Sequence, residues 1–183
     1  MTEITPAILD DIRDRFAQID QCPVQGQRVF FENAGGALTL KSVVVTSAEF
    51  AAIPDNQGRD NPGSHELVRV INTAMDNLRA FMNAPNGSFF VGESGTELIF
   101  RLVMNAALGT SNDGIILGST VEHPATRSAC DRWAPISGKR HVLIAHDDAR
   151  GLVSADAYSA AVTADTRVAT ILHTSPVTGM GMD

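Results

Sequence analysis

Apolar residues recur along the chain in two rhythms. At helical spacing, Ile8, Ile12, Phe16 and Ile19 mark one face of a segment over 6–20, with Thr5 as its cap and Pro6 at its first position. The same rhythm predicts helices over 40–53, 65–82, 126–133 and 154–162, and another on Leu98, Ile99, Leu102, Val103 and Ala106, closed by Gly109. Short unbroken apolar runs read instead as buried strands. These are Val29 to Phe31, Phe89 to Val91, Ile115 to Leu117, Val142 to Ile144, and Val168 to Leu172. Residues 22–27 read as a turn, and 54–64, rich in Gly, Pro, Asn and Asp, as a loop.

Strands alternating with amphipathic helices predict an α/β protein with a mostly parallel sheet flanked by helices. In such sheets, ligands bind beyond the carboxyl ends of the strands. Polar chemistry collects in the segments that follow the runs: Glu32 and Asn33, Gly92 to Thr96, Glu122 and His123, and 173–178. The Gly92–Thr96 stretch joins a predicted strand to a helix, so free amides and the positive end of the helix dipole would face an anion there. Ser94 and Thr96 would add hydroxyls. Ser or Thr ahead of a Glu is equally an ordinary helix start.

Composition narrows the field. The 183 residues suffice for a domain with a real core, and 44% hydrophobic with 19% charged residues describes a globular protein. A net charge of -7 and a pI near 5.1 argue against a nucleic-acid surface. No apolar run approaches a membrane span, and the acidic start lacks the features of a signal peptide. Cys22 and Cys130 form no CxxC pair, so buried free thiols in a reducing cytoplasm are expected. There is no Gly-Lys-Ser of the Walker type.

Five segments, in order, resemble the class V aminotransferase and cysteine desulfurase family of pyridoxal-phosphate enzymes. They are Phe31-Glu-Asn-Ala-Gly-Gly, Asp60-Asn-Pro-Gly-Ser-His65, Gly92-Glu-Ser-Gly-Thr-Glu97, Glu122-His123 and His173-Thr-Ser-Pro-Val-Thr-Gly179. The resemblance covers about 28–183 and implies a partial cofactor-binding large domain of fold type I there, behind an N-terminal helical segment over 1–27. It implies pyridoxal 5'-phosphate as cofactor, held at its phosphate by Gly95 and Thr96 with Ser94. His123 would stack on the ring, and Asn33, Ala34, Gly35 and His65 would lie on the substrate side. An amino-acid substrate, transamination or carbon–sulfur (or related β-carbon) cleavage, and a homodimer follow from the same resemblance.

Three features depart from the family pattern. Pro176 stands where the family usually has an asparagine that bonds the ring's phenolic oxygen, and proline offers no donor. Glu93 sets a carboxylate beside a loop expected to cradle phosphate. The lysine that forms the Schiff base has no counterpart, since Lys41 and Lys139 are the only lysines and neither matches its segment. The chain therefore reads as the N-terminal part of such an enzyme, not active by itself. The alternative is a degenerate or truncated non-catalytic member acting as a binding or assembly module. An unrelated phosphate-binding α/β protein, such as a nucleotide hydrolase, fits less well without a phosphate-binding lysine or a metal-carboxylate pair. His173 reads as a strand-end residue, and His141 and His146 as surface residues. Arg127 reads as either an anion contact or an exposed helix-face residue.

Overall fold

The computed structural model describes residues 4–33, 35–54 and 57–182. The chain divides into two compact units, 1–89 and 90–183.

The first unit opens with α1 (Pro6–Asp14), where the Thr5 side chain accepts the Ile8 amide and Pro6 stands in the first turn. α1 is six residues shorter than its apolar spacing predicts. Phe16 leaves the helix to form an antiparallel bridge with Leu40, and the Ala17 amide bonds the Thr39 carbonyl. Residues 22–27, expected to be a turn, belong to a small antiparallel hairpin of β1 (Gln21–Cys22) and β2 (Gly26–Gln27). α2 (Lys41–Ala51) follows, its three consecutive valines notwithstanding. α3 (Pro62–Phe81) starts three residues earlier than predicted, because the Asn61 side chain caps the Ser64 amide and Pro62 begins the first turn. The expected strand at Val29 to Phe31 does not form. Among the described residues the run pairs with no strand, and Val29 and Phe31 are 78% and 91% exposed. An apolar run needs a neighbour's amides and carbonyls to become a strand.

The second unit is an α/β layer structure. α4 (Gly95–Leu108) leads to β3 (Ile115–Ser119), α5 (Pro124–Ile136), β4 (Arg140–Ile144), α6 (Ala155–Ala161) and β5 (Thr166–Ala169). The three strands form a parallel sheet in the order β4-β3-β5. β3, at the centre, is buried along its whole length, as expected of a parallel strand covered on both faces. Its side chains alternate between two cores. Ile116 packs with Val103 and Ala107 of α4 and with Ala129, Cys130 and Ala134 of α5. Leu117, one residue on, packs with Val121, Val153 and Tyr158 on the α6 side. Two glycines make the close turns at the amino end of the sheet. A Cβ on Gly114 (φ +90°) would lie 2.2 Å from the Asp165 carbonyl oxygen, and one on Gly138 (φ +71°) 2.5 Å from that of Asn112.

Phe89 to Val91, expected to be a buried strand, is also unpaired, with Phe90 65% and Val91 60% exposed. β5 starts and ends earlier than its apolar run and is bonded to a neighbour on one side only. Beside that open edge lies a cavity of about 420 Å³ lined by Leu102, Val103 and Ala106 of α4 and by 168–172. A second hollow, about 520 Å³, lies along Phe90, Leu98, Leu102 and Met104. α4 is thus apolar on a buried side and on an open side, and an unpaired edge beside open apolar surface promotes association. The chain is expected to self-associate at micromolar concentration in sedimentation velocity, and Leu102→Lys combined with Ile171→Lys to shift it toward monomer. A wild-type chain that stays monomeric at all concentrations would overturn this.

Candidate functional site

The polarity of the second unit is fixed by a buried lysine. Lys139, 4% exposed, donates from Nζ to the Ala107 carbonyl at 2.8 Å and to that of Ser137 at 3.3 Å. An ammonium on the last carbonyls of α4 favours the helix dipole. It also places the carboxyl end of α4 at the amino end of β4. Fourteen residues at 1.5 Å each carry the opposite end of α4 about 20 Å away, toward the carboxyl edge of the sheet. α5 begins at that same edge, because it follows β3 directly.

The amino end of α4 is open to solvent, with Gly92 to Thr96 all exposed. Ser94 is its cap, and its Oγ accepts the Glu97 amide at 3.1 Å. Glu97 reaches back to accept the Glu93 amide at 2.9 Å and pairs with Arg101 at 2.7 Å, so its charge is compensated. A Cβ on Gly92 would lie 2.7 Å from that Glu97 carboxylate and 2.8 Å from the end of the Leu98 side chain, so a larger residue there would have to displace both. Nothing lies within 4 Å of a Cβ built on Gly95. The amides of Gly95 and Thr96, in the first turn, have no acceptor within the helix. The donor set therefore fits a phosphate: free amides, the Thr96 hydroxyl and a positive helix end.

His123 caps α5. Its Nδ1 accepts the Ala125 amide at 3.0 Å, which leaves Nε2 to carry the proton of the neutral ring, and the residue is exposed. Beside it Glu122 is 3% exposed, and its Oε1 has no hydrogen-bond partner among the described residues. Burial raises the Glu122 carboxyl above its ordinary value, against the opposing pull of Thr170 and the charge of His141.

In the first unit, Asn33 and Gly35 lie in an exposed turn closed by the Gly35 amide on the Glu32 carbonyl at 3.0 Å. Ala34 lies outside the described residues. His65 sits in the first turn of α3, with Nε2 3.2 Å from the Asp60 carboxylate. Gly95, Thr96, Ser94 and His123 all belong to the second unit, at the ends of α4 and α5 just derived.

Two histidines expected at the surface are not free there. The His141 side chain is 7% exposed and lies 2.7 Å from the Asp131 carboxylate, because β4 turns it under α5. His146 lies 2.7 Å from Thr120 Oγ1. Sequence reasoning also missed Ser175, which ties the loop after β5 to the loop after β3 by donating to the Val121 carbonyl at 2.8 Å. Thr178 ties the same loop to the one after β4, through the Gly151 carbonyl at 2.7 Å. Which hydroxyls of the 173–179 segment turn inward is not readable from the sequence. Both cysteines are free; Cys130 is buried and Cys22 half-buried.

The strands, their crossovers and the polar ends define a parallel α/β domain with an anion-ready helix terminus beside an exposed histidine. Residues 29–183 match the family described as Aminotransferase class-V, and the chain belongs to that family. In structure it is similar to the cysteine desulfurase CsdA (S-sulfonic acid form) from Escherichia coli, with a TM-score of 0.72 at 22% identity. That match covers 100% of this chain and 44% of that chain. Among curated proteins, none matches the sequence. Among the described residues, no helix is long and apolar enough to cross a membrane.

Two titrations probe this arrangement. The folded state holds the Glu122 proton more tightly than the unfolded chain does, so the folding stability linked to it is present at low pH and lost as pH rises. Glu122→Gln, which stays neutral, is expected to match the wild type below the ordinary carboxyl range. It should gain on the wild type as pH climbs from there, as read by urea denaturation at several pH values. A pH-independent difference would contradict the assignment. For the thiols, burial pushes Cys130 up to about 11, whereas backbone amides around Gln25 and Val24 lower Cys22. Iodoacetamide at pH 8 should label Cys22 first and reach Cys130 only on unfolding; equal rates would refute this.

Proposed function

We propose that this chain is the cofactor-holding part of a pyridoxal-phosphate enzyme acting on an amino acid, by transamination or by cleavage of a carbon–sulfur or related β-carbon bond. The observation that carries it is the open amino end of α4, within the region that matches the class V aminotransferase family. Gly95 and Thr96, with the Ser94 hydroxyl, would hold the phosphate, and His123 would present its ring to the pyridine. When bound, the cofactor supplies an electron sink for charge developing at the substrate's α-carbon. Glu97 does not oppose the phosphate, because Arg101 and the Glu93 amide hold its carboxylate.

Neither lysine suits the covalent role. Lys139 is buried on two carbonyls at the amino end of β4, and its strand of five residues at about 3.3 Å each separates it from the carboxyl edge by roughly 15 Å. Lys41, in the first turn of α2, belongs to the other unit and to no family lysine segment. The reactive lysine, and with it turnover, would come from outside these 183 residues, in a cytoplasmic homodimer of the family type. Pro176, Glu93 and the absent lysine favour a second reading, a non-catalytic member that binds without turning over.

Titration of the chain with pyridoxal phosphate separates the outcomes. Saturable binding is expected, weakened about tenfold by Thr96→Ala, which removes a hydrogen bond to a charged group worth ~1.5–3 kcal/mol. His123→Ala should weaken it about fivefold, for a stacking contact of ~1 kcal/mol. Borohydride should label no lysine. Absence of binding would remove the cofactor reading, and labelling of Lys139 or Lys41 would overturn the account of the lysines.

A further inference from the structure

The turn between β3 and α5 carries His123, and its own backbone holds it weakly: the Glu122 amide reaches the Ser119 carbonyl only at 3.5 Å. Its shape is set instead by side chains from two other loops. On one side is Ser175, 1% exposed. Its hydroxyl donates to the Val121 carbonyl at 2.8 Å and accepts the amides of Val177 at 3.1 Å and Thr178 at 3.2 Å. One proton and both lone pairs are thereby used, so Ser175 has nothing left for a ligand. On the other side, Thr120 Oγ1 accepts the His146 amide at 3.0 Å and lies 2.7 Å from His146 Nδ1. Thr120 and Val121 are consecutive and stand three and two residues before His123. The Thr120 amide also bonds the Ile144 carbonyl at 3.0 Å, which continues the ladder to β4.

Among the described residues, His123 has no comparable side-chain anchor. Its ring is oriented by one bond, from the Ala125 amide to Nδ1, made within its own cap. A displacement of Val121 would therefore reach a cap whose carbonyl is held by the Thr126 amide at 2.9 Å and the Arg127 amide at 3.2 Å, while the ring has only the Ala125 bond to hold its orientation. We propose that Ser175 and His146 are positioning residues, holding the His123 turn from opposite sides so that the imidazole keeps one tautomer and one orientation. Ser175 dominates, because it is buried and makes three bonds. Only the cofactor-binding arm of the test rests on the reading of His123 given above.

The test uses ¹⁵N-resolved NMR of the histidine rings in the full chain, alongside pyridoxal-phosphate titration. In the wild type, His123 should show the separated nitrogen shifts of a single Nε2–H form. Ser175→Ala, and independently Thr120→Val, should bring those shifts toward averaging and weaken cofactor binding about fivefold. Thr120→Ser retains the oxygen and should retain both properties. Ser137→Ala serves as a stability control, since Ser137 is also buried and its hydroxyl bonds within the end of α5, to the Ala134 carbonyl at 3.1 Å. It should lower the melting temperature without moving the His123 signals. If Ser175→Ala fails to fold, the Thr120 pair decides alone. Unchanged His123 shifts in both Ser175→Ala and Thr120→Val would overturn the proposal, as would an equal change in Ser137→Ala. If the wild type binds no pyridoxal phosphate, the cofactor reading fails and the ring-nitrogen comparison still decides this one.

Discussion

Everything in the second unit hangs on the burial of β3. A parallel strand with a neighbour on each side and a helical layer on each face is closed off from water, so its run is apolar until Ser119, which is buried as well. Ile115, Ile116 and Leu117 meet that demand, and Gly118 meets a different one. A Cβ at Gly118 would lie 3.0 Å from the Thr170 hydroxyl and 3.1 Å from His141 Nε2. Where the apolar run stops, polar atoms from both neighbouring strands close in over the chain. The same strand that builds the core thus delivers Thr120, Val121, Glu122 and His123 to the carboxyl edge in a fixed order.

The carboxyl edge is a stitched surface rather than three independent loops. Thr120 joins the β3 and β4 ends, Ser175 joins β3 and β5, and Thr178 joins β5 and β4. Each tie uses a short hydroxyl side chain to bond a backbone group or an imidazole of a neighbouring loop. The amino edge is held differently, by one long cation on the end of α4 and by glycines where chains pass too close for a Cβ. This division explains why a lysine in a chain of this family can be structural.

Much of this was legible in the sequence. Period and composition were enough for the parallel α/β arrangement, because Ile115–Leu117 and the α4 stripe leave few alternatives. The expected helix start at Pro6, capped by Thr5, agrees with the cap observed. The strands at Val29 and Phe89 were misread because apolarity marks a wish for burial, while strand formation depends on a neighbour that no local window contains. The early end of α1 has a similar cause, a long-range bridge from Phe16 to Leu40 overriding a good helical stripe. At the site, the helix that follows Gly92 to Thr96 and the place of His123 directly after β3 were readable from the sequence. Ser175, Thr120 and His146 were not, since a hydroxyl or imidazole signals nothing in sequence until folding supplies a partner decades of residues away.

The exposed end of α4 belongs to a chain with a net charge of -7. Its attraction for an anion is short-ranged and fades within about one helical turn. The repulsion from the chain's net negative charge reaches farther, about 10 Å at 0.1 M salt. An arriving phosphate therefore meets a barrier before it meets the amides. Added salt screens the barrier and leaves the final hydrogen bonds largely intact, so moderate ionic strength should quicken capture, the reverse of what a basic phosphate site would do.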